Sequence, residues 1–218
     1  MKPKLLVFAS GEKDPKDGGG SGFKKLVEAT LDGSLEAEIV AVVSNNPAGG
    51  VFEKARELKI PFVYFPLPRE AADYQRIVRD TGAQFVALSG WMRLAKGLDP
   101  KTTFNIHPGP LPRFGGAGMW GHFVHEAVLE AFSKGEIDHT EVSMHFVTDP
   151  KSKDDYDKGP VFYRASVSLF KGDTAITIAK RTNEIEHKIQ PLITNLVVSG
   201  QISWDGINPE SLIVPSLV

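Results

Sequence analysis

The stretch Leu5-Leu6-Val7-Phe8-Ala9, followed by Gly18-Gly19-Gly20-Ser21-Gly22 and then by Phe23, Leu26, Val27 and Ala29, decides the fold. Five consecutive apolar residues read as a strand buried on both faces. The apolar positions after the glycines recur with helical spacing. A buried strand, a glycine-rich turn and a helix form the opening of a βαβ unit. The rhythm then repeats, with strands expected at 38–44, 61–65, 85–88 and 104–107 and helices at 52–58 and 71–79. Strands alternating with helices imply right-handed crossovers and a mostly parallel sheet, giving an α/β, Rossmann-like, doubly wound fold.

After residue 120 the pattern changes. A helix is expected at 123–132, and strands at 141–147 and 161–169 flank a polar loop, so the C-terminal additions to the sheet should be antiparallel. Asp173 is placed to cap a long amphipathic helix with Ile176, Ala179, Ile185, Ile189 and Leu192 or Ile193 inward. A short last strand is expected at 201–204. No repeat or low-complexity linker interrupts the chain. It reads as one domain over 1–218, with a phosphate-binding half (1–100) and a catalytic half (101–218).

Composition narrows the function. At 218 residues, 41% hydrophobic and 24% charged, the chain can bury a sizeable core. A net charge of -2 gives no global electrostatic case for nucleic acid or an anionic membrane. Cysteine is absent, which excludes disulfides, thiolate catalysis and Cys-ligated metals and suits a reducing compartment. No apolar run approaches the roughly 20 residues of a membrane span. The expectation is a soluble, cytoplasmic protein that uses no metal and acts on small molecules, with a homodimer as one possible assembly. His122 and His125 stand one helical turn apart, but without a carboxylate partner they do not make a metal site.

The chemistry concentrates in Asn105-Ile106-His107-Pro108-Gly109-Pro110-Leu111-Pro112. In an extended strand, Asn105 and His107 project to the same side, and Pro108 biases His107 toward extended backbone. An amide can donate to a developing oxyanion, and an imidazole can hold or move a proton. The pair suits attack on a carbonyl, although a turn contact for Asn105 and a core role for His107 fit those residues equally well. Of the aspartates between the two late strands, Asp157 stands out, because Asp157-Lys158-Gly159-Pro160 leads directly into a strand. His145, within a strand, reads as structural.

Two further segments suggest ligands. The glycine loop at 18–22, backed by a helix N-terminus, forms an anion cradle. It is neither a Walker A loop nor a G-x-G-x-x-G fingerprint, so a single phosphate is the natural ligand and a plain turn the alternative. The charged residues 12–17 ahead of it are expected to move when the loop is empty. Trp91, Met92 and Arg93 close the fourth strand, where open α/β sheets bind ligands. They could wall a flat, partly charged cofactor, with core packing the simpler account of Trp91.

Together these segments resemble the phosphoribosylglycinamide formyltransferases of the folate-dependent formyltransferase superfamily. The likeness covers most of the chain. It includes the glycine-serine loop, Gly90-Trp91-Met92-Arg93, Asn-x-His-Pro-x-x-Leu-Pro, His145-Phe146-Val147-Thr148-Asp149, Asp-x-Gly-Pro-Val, and Glu186-His187 with Pro191. The resemblance implies transfer of the formyl group of 10-formyltetrahydrofolate to the amine of glycinamide ribonucleotide in de novo purine biosynthesis. It implies Asn105, His107 and Asp157 as catalytic, with His107 protonated to stabilise a tetrahedral oxyanion. It implies Gly20, Ser21 and Gly22 at the phosphate, Glu186 at the ribose, and Asn183 near the phosphate. Arg69 would contact the substrate carbonyl region or phosphate side. Met92, Arg93 and Leu94, with Val147, Thr148 and Asp149, would border the pterin pocket.

Two departures stand out. The loop from Asp149 to Asp157 is longer than is usual in the family, and the phosphate loop carries an insertion at 12–18 and Gly22 where asparagine is common. Other members of the superfamily compete. A methionyl-tRNA formyltransferase would add a C-terminal RNA-binding domain, and a formyltetrahydrofolate deformylase an N-terminal regulatory one. A sugar-nucleotide N-formyltransferase should lack the glycine loop. A non-catalytic nucleotide- or folate-binding module is the reading from a different class.

Overall fold

A computed structural model describes residues 1–11 and 18–216. One seven-stranded sheet runs through it in the order β3-β2-β1-β4-β5-β6-β7. The strands are β1 (Lys4–Phe8), β2 (Glu38–Ser44), β3 (Phe62–Tyr64), β4 (Phe85–Ser89), β5 (Thr103–His107), β6 (His139–Phe146) and β7 (Val161–Ser168). β1 to β5 pair in parallel, and β6 and β7 are antiparallel additions. The helices are α1 (Ser21–Asp32), α2 (Gly50–Leu58), α3 (Ala71–Thr81), α4 (His122–Ser133) and α5 (Ala175–Val198). Residue 100 falls between β4 and β5, which are paired neighbours, so both halves of the chain build the same sheet.

Burial explains the apolar run that opens the chain. Leu5, Leu6, Val7 and Phe8 are all 0% exposed because β1 is central and covered on both faces. Side chains alternate along the strand. Leu5 and Val7 therefore join Phe23 and Leu26 of α1 and Ile193 and Val197 of α5. Leu6 and Phe8 join Tyr74 and Ile77 of α3, with Trp91, on the other face. The order of strands reverses between β1 and β4, which opens a crevice beyond their carboxyl ends. A third cluster, with Val124 and Val128 of α4 against Ile178 of α5, supports the element that follows the Asn-x-His segment.

Three expectations for the C-terminal part are corrected. The N-cap of α5 is Thr174, whose side chain accepts from Thr177 N at 3.2 Å. Asp173 instead pairs with Arg181, Nη2 to Oδ1 at 2.8 Å and Nη1 to Oδ2 at 3.0 Å. Hydrogen bonding from Arg181 holds the Asp173 carboxyl well below the usual carboxylate range. The inward face of α5 begins at Ile178, 0% exposed, whereas Ile176 is 80% exposed. Two residues along a helix turn the side chain by about 200°, so both cannot face the core. Ile193, not Leu192, is the inward residue of that pair. Residues 201–204 form no strand, only an isolated bridge between Ser203 and Ile213.

This register for α5 gives a direct test. Ile178→Ala should cost about 2–5 kcal/mol by opening a cavity, and Ile176→Ala should change stability by less than about 0.5 kcal/mol. Urea denaturation of the two variants checks it, and equal losses would contradict the packing described.

Candidate active site

Asn105 and His107 stand on one strand two residues apart, and both line a cavity of about 520 Å³ beyond the carboxyl ends of β1, β4 and β5. His107 is 4% exposed. Its Nε2 lies 2.7 Å from the Phe114 carbonyl, which can only accept, so Nε2 carries the hydrogen. That leaves Nδ1 as the unprotonated nitrogen of the neutral ring, 3.7 Å from Asp157 Oδ2. Burial pushes the His107 imidazole below its ordinary value, against the opposing pull of Asp157 and the Phe114 carbonyl. Burial and the Asp157 anion thus act in opposite directions on the charge of this ring.

Asp157 reaches this site from the long loop between β6 and β7. Its φ of 55° is left-handed, a region that aspartate tolerates better than most residues. Gly159 presses the end of the loop onto the sheet, since a Cβ there would lie 1.7 Å from the Phe146 carbonyl oxygen. Asp157 Oδ1 accepts from Asn105 Nδ2 at 3.3 Å and lies 3.3 Å from His145 Nε2. Oδ2 accepts from the Gly116 N–H at 3.1 Å. Burial pushes the carboxyl up, but the His145 contact, the two imidazoles and the Gly116 N–H outweigh it and hold the group below its usual value. Asp157 is thus an anion shared among four partners.

His145, which the sequence reading set aside as structural, belongs to this cluster. β6 runs antiparallel to β5 with His145 opposite Asn105. Its Nδ1 donates to the Phe146 carbonyl at 2.8 Å, and its Nε2 is 3.1 Å from Asn105 Nδ2. The missing signal was the antiparallel register, which cannot be read before the pairing is known. His125, on α4, also lines the cavity, and burial pushes it down to about 4. Among the described residues, no group of three or more His, Cys, Asp and Glu side chains could hold a metal ion.

The phosphate-sized cradle lies at the same cavity. Gly20 caps α1 in a left-handed conformation, φ 73°, with no side-chain cap. The first N–H groups of the helix therefore remain available for an anion. Gly19, Gly20, Ser21 and Gly22 all line the cavity. Gly50, at the start of α2, packs so close that a Cβ would lie 2.0 Å from the Gly18 carbonyl oxygen. Residues 12–17, expected to be mobile, lie outside the described residues. Across the cavity, α5 contributes Asn183 and Glu186. Asn183 Nδ2 donates to Glu186 Oε2 at 3.3 Å. Burial pushes the Glu186 carboxyl up to about 7, with Asn183 only partly offsetting it.

The remaining expected residues separate. Met92 lines the main cavity, but Arg69, Arg93 and Leu94 line a second hollow of about 560 Å³ with Lys96. The turn at 89–94 stands between the two. Trp91 anchors it from the core, its Nε1 donating to Tyr74 Oη at 3.2 Å, while Tyr74 Oη donates to the Leu94 carbonyl at 3.1 Å. Val147, Thr148 and Asp149 line neither cavity. Val147 packs on the cluster that holds Trp91, and Asp149 Oδ1 accepts from the Gly97 N–H at 2.6 Å. Tyr156, adjacent to Asp157, enters the main cavity in their place.

Comparison with known proteins agrees with this geometry. Residues 4–194 match the family model described as formyl transferase. The chain is 34% identical over 219 residues to the chloroplastic phosphoribosylglycinamide formyltransferase of Arabidopsis thaliana, covering 94% of this chain and 70% of that one. It is 30% identical over 198 residues to the phosphoribosylglycinamide formyltransferase of Escherichia coli, covering 85% of each. A crystal structure of the enzyme of that name from Brucella melitensis superposes with a TM-score of 0.73 at 28% identity, covering 94% of this chain and all of that one. The match over most of its length, together with these relatives, shows that the chain belongs to the formyl transferase family.

Proposed function

We propose that the protein transfers the formyl group of 10-formyltetrahydrofolate to the primary amine of glycinamide ribonucleotide, a step of de novo purine biosynthesis, in the cytoplasm. The observation that carries this reading is the convergence of Asn105, His107 and Asp157 in a cavity flanked by a phosphate cradle and the Met92 turn. An amide donor, an imidazole and a carboxylate within hydrogen-bonding reach suit acyl transfer through a tetrahedral intermediate.

The amine nitrogen attacks the formyl carbon, and the carbonyl π electrons move to oxygen. Asn105 Nδ2 turns from its Asp157 and His145 contacts to donate to that oxyanion. His107 takes up a proton from water at Nδ1 as negative charge develops, the nearby Asp157 anion stabilises the imidazolium, and the proton returns to water as the intermediate collapses. Asp157 relays the proton lost by the attacking amine, through water, to N10 of the departing tetrahydrofolate. The C–N10 bond then breaks as the new amide forms, so one proton leaves the amine and one arrives at N10.

Ligand placement follows the charges. The substrate phosphate sits on the N–H groups of Gly20, Ser21 and Gly22, with Asn183 nearby, and Glu186 accepts from the ribose hydroxyls. Met92 borders the pterin. Arg69 and Arg93, which share the second hollow, suit the glutamate carboxylates of the folate tail. Arg69 is accordingly assigned to folate rather than to the phosphate side. Tyr156 takes the place intended for 147–149 at the pterin edge.

Incubation with glycinamide ribonucleotide and 10-formyltetrahydrofolate should give formyl transfer. Asn105→Ala and Asp157→Asn should each lower kcat by about a hundredfold or more. No turnover, or unaltered turnover in both variants, would sink the assignment, and formyl loss without the amine would point to a deformylase.

Glu186 gives a pH test with two readouts. Its folded carboxyl is raised to about 7 from 4.5, so the folded state binds more protons between those values. The stability penalty of the buried anion is absent below about 4.5 and grows as pH rises through 7. Glu186→Gln should raise the melting temperature at pH 8 while raising KM for glycinamide ribonucleotide. In the wild type that KM should climb as pH falls below about 7, and in Glu186→Gln it should be flat. A melting temperature at pH 8 that drops on substitution would contradict the burial argument.

A further inference from the structure

One buried side chain at the main cavity has no part in this account. Gln190 is 2% exposed and lines the cavity from α5, four residues beyond Glu186 and seven beyond Asn183. That spacing puts the three on one helix face. Gln190 Oε1 accepts from Ser89 Oγ at 3.2 Å. Ser89 ends β4 and is itself buried, so the carbonyl end of the amide is fixed. The amide nitrogen donates to none of the described residues, yet it is not among the polar atoms sealed from the surface without a partner. Gln190 lines the cavity, so this unengaged end of the amide has that space within reach.

The neighbour on that side is the phosphate cradle. A Cβ on Gly22 would lie 2.3 Å from Ser89 Oγ and 2.7 Å from Gln190 Oε1. The first turn of α1 therefore rests directly on the Ser89–Gln190 pair, which a side chain at position 22 would have to displace. Among the described residues, the donors that line the main cavity are amides, hydroxyls, imidazoles and backbone N–H groups, beside the Asp157 and Glu186 carboxylates and with no lysine or arginine. Amide and backbone donors of this lining would each contribute appreciably to holding a phosphate ester.

We propose that Gln190 is a binding residue for the phosphorylated ribosyl substrate, donating from Nε2 to a phosphate or adjoining ribose oxygen, with Ser89 as its positioning residue. The side-chain amide at 190 supplies from α5 the donor that glycine at position 22 cannot. The proposal rests on reading the glycine loop and Glu186 as the ribonucleotide side of the site.

Ribose 5-phosphate, titrated calorimetrically against the full chain, isolates this contact from formyl transfer. Gln190→Met, close in shape and without donors, should weaken its binding by about ten- to a hundredfold. The same variant should raise KM for glycinamide ribonucleotide similarly and leave KM for 10-formyltetrahydrofolate within about twofold. Gln190→Glu should bind more weakly still, because a carboxylate would face the phosphate, and Ser89→Ala should fall between. Wild-type affinity for ribose 5-phosphate in Gln190→Met and Gln190→Glu would overturn the proposal, as would equal rises in both KM values with a lower melting temperature. If the Gln190 variants do not fold, Ser89→Ala decides, and unchanged affinity there overturns it. Failure of the wild type to formylate glycinamide ribonucleotide would instead refute the proposed activity, with ribose 5-phosphate binding still reporting on Gln190.

Discussion

The active site depends on one shared anion. Asp157 is held by Asn105 from β5, by His145 from β6 and by the Gly116 N–H from the segment before α4, and it faces His107 across 3.7 Å. Three pieces of chain thereby converge on two carboxylate oxygens. A carboxylate removed from water in this way needs such partners, because an uncompensated buried charge is severely unfavourable. Two of the partners that keep the charge in place, Asn105 and His107, are also the groups proposed to meet the substrate carbonyl, so the loop and the proposed chemistry share the same contacts.

Glu186 is treated in the opposite manner. Among the described residues its one side-chain partner is Asn183, and burial raises its carboxyl to about 7. The protein thus contains one carboxylate well supplied with internal partners and one poorly supplied, the latter proposed to meet a ligand. The distinction follows from surroundings: Asp157 has an amide and a backbone N–H as donors with two imidazoles beside it, and Glu186 has one amide. Perturbation of this second kind marks a binding group as much as a catalytic one.

Much of this was legible in the chain. The run at 5–9 and the glycine loop after it define the parallel βα half, because a strand covered on both faces must be apolar throughout. Asn105 and His107 could be placed on one face by strand alternation, and Asp157 by the glycine and proline that follow it. What could not be read depends on pairing across distant segments. His145 gains its meaning only from standing opposite Asn105, and Gln190 only from meeting Ser89, 101 residues away. Arg69 and Arg93 share a hollow because of how the turn at 89–94 is anchored to Tyr74, which no local pattern encodes. Asp173 was taken for a cap because aspartate commonly is one; the helix start one residue later hands that task to Thr174 and frees the carboxylate for Arg181.

The loop that carries Asp157 is fastened at both ends, by Asp149 to the Gly97 N–H and by the contact of Gly159 with the Phe146 carbonyl. Between these clamps Asp155 ties the backbone to itself through the N–H groups of Lys151 and Ser152. Closing a flexible loop becomes dearer only slowly with its length, by about 0.6 kcal/mol for each doubling. Residues can therefore be gained or lost inside the clamps with little consequence for the carboxylate at their end. Length in this loop is a degree of freedom open to drift during divergence, whereas the glycine two places after the aspartate is not.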